Sequence, residues 1–198
     1  MNRILKRSLK VIALVIVIVA GTLFVLKKAT KSYSPEKTIT YSDKGLELEV
    51  FYNRPYKKDR EIFGELVPYN KVWRTGANEA STFKTNKDIL IDGSLLKSGK
   101  YSLWTIPGKE SWKVIFNSKM YPWGINIDEE AYRNEKFDEL VIETAVHKTE
   151  TIVEQFTVSF NKKNELLFMN LSWDRTLIEI PIKRKEAGSA ASSLSRSE

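Results

Sequence analysis

Cysteine is missing from the chain and histidine occurs once. The first absence excludes disulfides, thiolate metal sites, a cysteine nucleophile and a lipidated cysteine. The second rules out a multi-histidine metal centre and leaves any Ser-His-Asp triad dependent on His147 alone. His147 shares strand parity with Val141, Glu143 and Ala145, opposite Leu140, Ile142 and Val146, so it is expected to face solvent. Walker and dinucleotide glycine patterns are absent as well, and no metal or cofactor is expected.

The folded part also lacks an excess of positive charge, although the whole chain carries a net +7. Residues 1–33 hold seven cations and no acid, whereas residues 34–182 hold 21 Lys/Arg against 23 Asp/Glu. Phosphate-backbone binding needs a basic face that releases counterions, so nucleic acid is not an expected partner.

The run VIALVIVIVAGTLFVL at 11–26 has no charge and is bracketed by Lys10 and by Lys27 and Lys28. As a helix it would span about 24 Å, and lysine stems at its ends would extend its reach toward the ~30 Å of a hydrocarbon core. It is apolar on every face, unlike the helix of a soluble core. Residues 1–28 therefore read as a signal anchor that meets the membrane through residues 11–26. A cleaved signal peptide is the competing reading, but the best small-residue site, Val19-Ala20-Gly21, would leave apolar residues at the new N-terminus. Four cations precede the span and three follow it, favouring a cytoplasmic N-terminus. The expected location is the cell envelope, with a single pass and the C-terminal domain outside the cytoplasm; after cleavage the domain would be periplasmic or secreted.

After a polar tether at 29–35, apolar residues recur at every second position. Leu46, Leu48, Val50 and Tyr52 share one face, with Glu47, Glu49, Phe51 and Asn53 on the other. The same pattern places Trp112, Val114 and Phe116 together, then Ile152, Phe156, Val158 and Phe160, then Leu167, Met169, Leu171 and Trp173, then Ile178, Ile180 and Ile182. Further strands are expected at 38–41, 82–85, 88–91, 100–106 and 140–146. Turn signals at Asp92-Gly93, Ser98-Gly99, Pro107-Gly108 and 161–164 separate them. The expected fold is all-β: a single β-sandwich at 36–183, jelly-roll or immunoglobulin-like, of about nine or ten strands. A short helix opened by an Asp cap is expected within 128–137, and residues 184–198, rich in Ser and Ala, read as a disordered tail.

Two stretches interrupt the strand patterns with arginine, amide, carboxylate and large aromatics. They are YNRPY at 52–56, followed by the charged run 57–61, and VWRTGANEAST at 72–82. Arg54, Tyr56, Trp73, Arg74, Asn78 and Glu79, with Trp123 from a third loop, are the candidate ligand-binding residues. Such a set offers paired donors, an acceptor and stacking platforms, suited to a polar small molecule, a glycan or an envelope protein. The structural alternative makes Trp73 a core residue and has Arg74 and Glu79 pair with each other or with backbone carbonyls to stiffen a long connection. No catalytic residue is assigned. A glycan or envelope hydrolase would use Glu79 as acid or base, with Asp174 or Asp43 as its partner. A purely structural envelope module is the third reading.

The segments YNRPYKKDREIFGELVPYNKVWRTGANEAST (52–82), GKYSLWTIPGKESWKVIFN (99–117), Trp123-Gly124 and LSWDRT (171–176) resemble an exported bacterial family, domain of unknown function 2911, over residues 34–182. The resemblance implies an exported, mostly β protein and implies no activity. The family's signature includes Arg54, Arg74, Asn78 and Glu79.

Overall fold

The computed structural model describes residues 3–126, 128 and 130–185. The chain opens with one long helix, α1 (Arg3–Tyr33). Nothing in the run 11–26 breaks a helix beyond Gly21, and the large apolar side chains from Leu9 to Val25 are exposed along it. Residues 7–33 have the length and hydropathy to cross a membrane, with a mean hydropathy of 2.8 over the best window. The polar residues 29–33, expected as a tether, continue the helix and leave Ser34 and Pro35 as the link. The tail expected to be disordered lies outside the described residues apart from Arg184 and Lys185.

Among the described residues, nine strands form one antiparallel sheet. They are β1 (Glu36–Asp43), β2 (Leu46–Asn53), β3 (Thr82–Thr85), β4 (Ile89–Ile91), β5 (Ser94–Leu96), β6 (Gly99–Pro107), β7 (Ser111–Asn117), β8 (Asp138–Lys163) and β9 (Leu166–Arg184). Their order is β1-β2-β3-β6-β7-β8-β9-β4-β5. Three of the hairpins turn through two residues that both have positive φ: Lys44-Gly45, Asp92-Gly93 and Asn164-Glu165. That backbone twist suits the strands it joins, and Gly, Asn and Asp supply it at little cost. Strand β5, which carries two exposed residues and one buried one, gives no periodic signal and was not anticipated.

The expected strands at 140–146 and 152–160 are one continuous strand, as are those at 167–173 and 178–182. The first half of β8 pairs with β7 and the second half with β9. Its register shifts between Lys148 and Val153 and again between Val153 and Thr157. Near these breaks β8 takes partners from residues 54–57: Lys57 N donates to Glu154 O at 2.7 Å, and Phe156 N to Pro55 O at 3.0 Å. The shifts also break the parity of the apolar residues, so Ile152, expected on the inner face with Phe156, is 51% exposed. Asn53, expected to face outward, is buried instead. In 128–137 the helix is a single 3₁₀ turn at Glu135–Phe137, capped by Asn134 instead of an aspartate.

The main core collects the inner faces of β2, β7, β8 and β9, including Leu48, Val50, Trp112, Val158, Met169 and Ile180. Tyr52 crosses it: its Oη accepts from Val158 N at 3.0 Å and donates to Val158 O at 3.3 Å, linking β2 to the second half of β8. A smaller cluster of Ala80, Trp104, Ile115 and Tyr121 lies apart from it. This accounts for Trp104, whose face sequence parity leaves open: Tyr101 to Thr105 are all buried. Phe156→Ala should cost about 3–5 kcal/mol through the cavity it leaves. Ile152→Ala, four residues away, should fall within about 0.5 kcal/mol of wild type. Denaturant midpoints of the two detergent-solubilised variants compare them directly.

Candidate functional site

The connection between β2 and β3, residues 54–81, contains both stretches singled out in the sequence. It has no regular helix and is held down by its own apolar residues. Ile62, Phe63 and Val67 are buried in the main core, and Phe63 pairs with Val67 in an isolated bridge. Trp73 closes the arrangement. Its backbone exchanges hydrogen bonds with Thr105 on β6 (2.7 and 3.0 Å), and its Nε1 donates to Gly76 O at 3.0 Å. The indole stacks on Trp173 at 6.1 Å and 16°, and meets Phe156, Trp112 and Phe63 edge-on. Edge-to-face and offset contacts at these distances are favourable beyond the area they bury. Gly76 is required here: its φ is +153°, and a Cβ would sit 2.9 Å from Asn53 O.

Between this connection, the end of α1 and the loop after β7 lies a cleft of about 600 Å³. Tyr33, Trp73 and Trp173 give it aromatic walls, and Lys58, Arg60, Lys71 and Arg74 line it with charge. Of the seven candidate residues, Trp73 and Arg74 line the cleft. Arg74 Nη1 donates to Trp123 O at 3.1 Å, so Trp123 contributes its backbone to positioning the arginine while its side chain is 39% exposed outside the lining.

The other four stand elsewhere. Arg54 Nε donates to Phe156 O at 3.1 Å and Nη2 to Thr157 Oγ1 at 2.9 Å, which clamps the end of β2 to β8. Tyr56 bridges to Gln155, and its carbonyl accepts from Arg60. Asn78 is buried, with a φ of 54° that asparagine tolerates, and its Nδ2 donates to Thr30 O (3.4 Å) and Ser34 O (3.3 Å). It thus adds a donor at the Thr30 carbonyl, which also accepts from Ser34 N at 3.1 Å, and supplies one to the Ser34 carbonyl just past the helix end. Glu79 receives Asn53 Nδ2 at 3.0 Å on one oxygen and lies 3.4 Å from Lys31 Nζ on the other. Lys31 also pairs with Glu36. Asn78 and Glu79 therefore join α1 to the domain.

Desolvation pushes the Glu79 carboxyl upward, but its own backbone N–H, the Lys31 charge and the Asn53 amide outweigh that and hold it below the usual glutamate range. An ionised carboxylate so held is a counter-ion, the opposite of a general acid poised near neutrality. Asp174 and Asp43, the proposed carboxylate partners, are engaged with Lys57 (3.6 Å) and Arg184 (3.0 Å). Among the described residues no group of three His, Asp or Glu side chains suits a metal ion. The described lining residues of the cleft are cations and N–H donors beside the aromatic rings of Tyr33, Trp73 and Trp173.

Sequence reasoning did not single out Tyr33, Lys58, Arg60 or Lys71 as cleft residues. Lys58 and Arg60 sit in a run of mixed charge, and the polar segment ending near Tyr33 reads as a link. Only the folded connection sorts these cations from the neighbouring acids.

With this geometry in place, comparison with known families is informative. The chain belongs to the family described as Protein of unknown function (DUF2911). The match covers residues 34–182 and so takes in β1 to β8, all of β9 except Lys183 and Arg184, and the whole connection 54–81, beginning just after α1. No curated protein and no solved structure matches the chain. The DUF2911 description assigns no activity, so the chemistry of this domain has to be read from its own side chains.

Because Glu79 is held below its usual range, its contribution to stability is full above that range and disappears as pH falls through the lowered value. Glu79→Gln removes the titrating group. The melting midpoint of wild type should therefore fall more steeply than that of the variant as the pH is lowered below about 4.5. Thermal melts across the acid range check this.

Proposed function

We propose that the chain is a membrane-anchored β-sandwich that holds its domain outside the cytoplasm and binds a polar organic ligand or envelope partner in the cleft of the connection 54–81. The observation that carries the reading is the cleft itself: an opening of about 600 Å³ with Trp73 and Trp173 in its walls and Arg74 on its lining. Concave sites with an aromatic floor and a few placed donors are the usual form of a small-ligand pocket. Its base is stiff, because Trp73 and Trp173 also belong to the packed aromatic cluster. Docking would place a ring or apolar face on Trp73 and an oxygen acceptor against Arg74, while Arg54, Asn78 and Glu79 maintain the frame.

The sandwich is supported by Tyr52, which joins β2 to the far half of β8 across the core, and by the change of partner halfway along β8. The anchor is supported by the exposed apolar length of α1, and its orientation by the cations preceding the span.

The absence of cysteine makes the topology simple to test with single cysteines. In intact cells, a membrane-impermeant maleimide should label an exposed Lys148→Cys variant and spare Lys10→Cys; the reverse pattern would refute the orientation. Binding can be tested with soluble oligosaccharide fragments of the envelope as probes. Arg74→Ala should weaken binding about tenfold or more with the melting midpoint retained. A collapse of folding in that variant would assign Arg74 to the scaffold.

A further inference from the structure

The charge that the described residues bring to the cleft is one-sided. Lys58, Arg60, Lys71 and Arg74 line it, and among the described residues no aspartate or glutamate does, although the domain as a whole has slightly more acids than bases. Lys58 lies over the Tyr33 ring, 4.7 Å from its centroid, a contact that leaves its charge unneutralised. Arg60 donates to the carbonyls of Lys57 and Tyr56, which satisfies its N–H groups without cancelling its charge. Lys71 is exposed and forms no ion pair among the described residues. The acids closest in sequence, Asp59, Glu61 and Glu65, are exposed and outside the lining. Glu154 is occupied with the Lys58 backbone N–H at 3.0 Å.

The position of the cleft narrows the source of an anion. Tyr33 and Ser34 line it, and Tyr33 is the last residue of α1. The helix runs unbroken from the apolar stretch ending at Leu26 to Tyr33, a rise of about 10 Å at 1.5 Å per residue. The polar layer on each side of a hydrocarbon core is about 5–8 Å deep. An apolar run of about 24 Å centred in a core of about 30 Å leaves the hydrocarbon edge about 3 Å past Leu26, so Tyr33 stands about 7 Å above that edge and the cleft lies at the level of the headgroups.

We propose that the cleft binds the phosphate-bearing headgroup of an anionic phospholipid in the bilayer that α1 crosses, an inference that rests on the anchored, ligand-binding reading above. Phosphate presents oxygens on several sides and suits ammonium and guanidinium groups arrayed around a cavity; a lone carboxylate would engage fewer of them. The glycerol or sugar part of the headgroup would lie against Trp73 and Tyr33. The negative end of the α1 dipole opposes an anion here, but it is offset by Asn78, which binds the Thr30 and Ser34 carbonyls, and by Lys31 in the last turn. Tethering holds the site next to a surface rich in its ligand, so a weak intrinsic affinity suffices.

The test titrates the full chain, in non-ionic detergent, with dihexanoyl phosphatidylglycerol, dihexanoyl phosphatidylcholine, glycerol phosphate and a neutral oligosaccharide, read by tryptophan fluorescence. Phosphatidylglycerol should saturate at a concentration at least about tenfold below phosphatidylcholine. The double variant Lys58→Glu/Lys71→Glu should lose that preference. Lys113→Glu/Lys148→Glu, an equal change of charge at exposed strand positions outside the cleft lining, should keep it, with unchanged circular dichroism in both. Equal loss in the two double variants would mean diffuse attraction and overturn the site. Saturation by glycerol phosphate as readily as by the lipid would overturn the lipid source. Binding of the neutral oligosaccharide, retained in both double variants and without any anion preference, would overturn this inference and leave the ligand-binding reading standing. Silence with all four probes would remove both.

Discussion

The indole of Trp73 is the contact on which the rest of the site depends. Residues 54–81 form no helix and few ladder bonds, and ordering each residue costs about 1–2 kcal/mol of backbone entropy. What offsets that cost is burial: Ile62, Phe63 and Val67 in the main core, and Trp73 set against Trp173, Phe156, Trp112 and Phe63. Because Trp73 is both packed in this cluster and present in the cleft wall, the floor of the cleft is continuous with the hydrophobic core. A ligand docked there, as proposed, would require little reorganisation of the wall.

The same connection also receives the helix. Asn78 binds the Thr30 and Ser34 carbonyls around the end of α1 and Glu79 faces Lys31, while Asn53, at the end of β2, holds Glu79. Asn78 and Glu79 lie a few positions beyond Arg74, within one turn-rich segment. Helix attachment and cleft geometry are thus physically coupled, and a disturbance at Gly76 would reach both. Its backbone lies too close to Asn53 O to admit a side chain without shifting β2.

Where one face of a strand is buried and the other is wet, the sequence is easy to read. Leu46 to Tyr52 alternate as expected, as do Leu167 to Trp173 apart from the buried Asn170, and His147 is exposed as its parity requires. Reading fails where that condition fails. β6 is covered on both faces, so Ser102 and Thr105 are buried along with Trp104 and its polar residues do not mark the outward direction. In β8 the register shifts reset the phase between Ile152 and Phe156, and the same stretch pairs with residues 54–57, about a hundred positions away. The site divides in the same way. Trp73 and Arg74 stand out by residue type, but Glu79 finds Lys31 and Asn53 through tertiary contacts that no local pattern contains.

Charge is the feature that composition reports worst, because its effect depends on which way each side chain faces. Within 57–61 lysine, arginine, aspartate and glutamate nearly cancel, yet Lys58 and Arg60 line the cleft and Asp59 and Glu61 do not. Left-handed backbone at Lys58 and Asp59 makes that sorting possible, since it turns consecutive side chains out of the alternation a strand would impose. A second fact of geometry then gives the sorted charge its meaning. The polar residues before Ser34 continue α1, so the cleft stands at a height set by helical rise. A flexible link of the same length would let the domain wander from the surface; a continuous helix, pinned by Asn78, keeps a cationic opening where an anchored chain would meet headgroup phosphates.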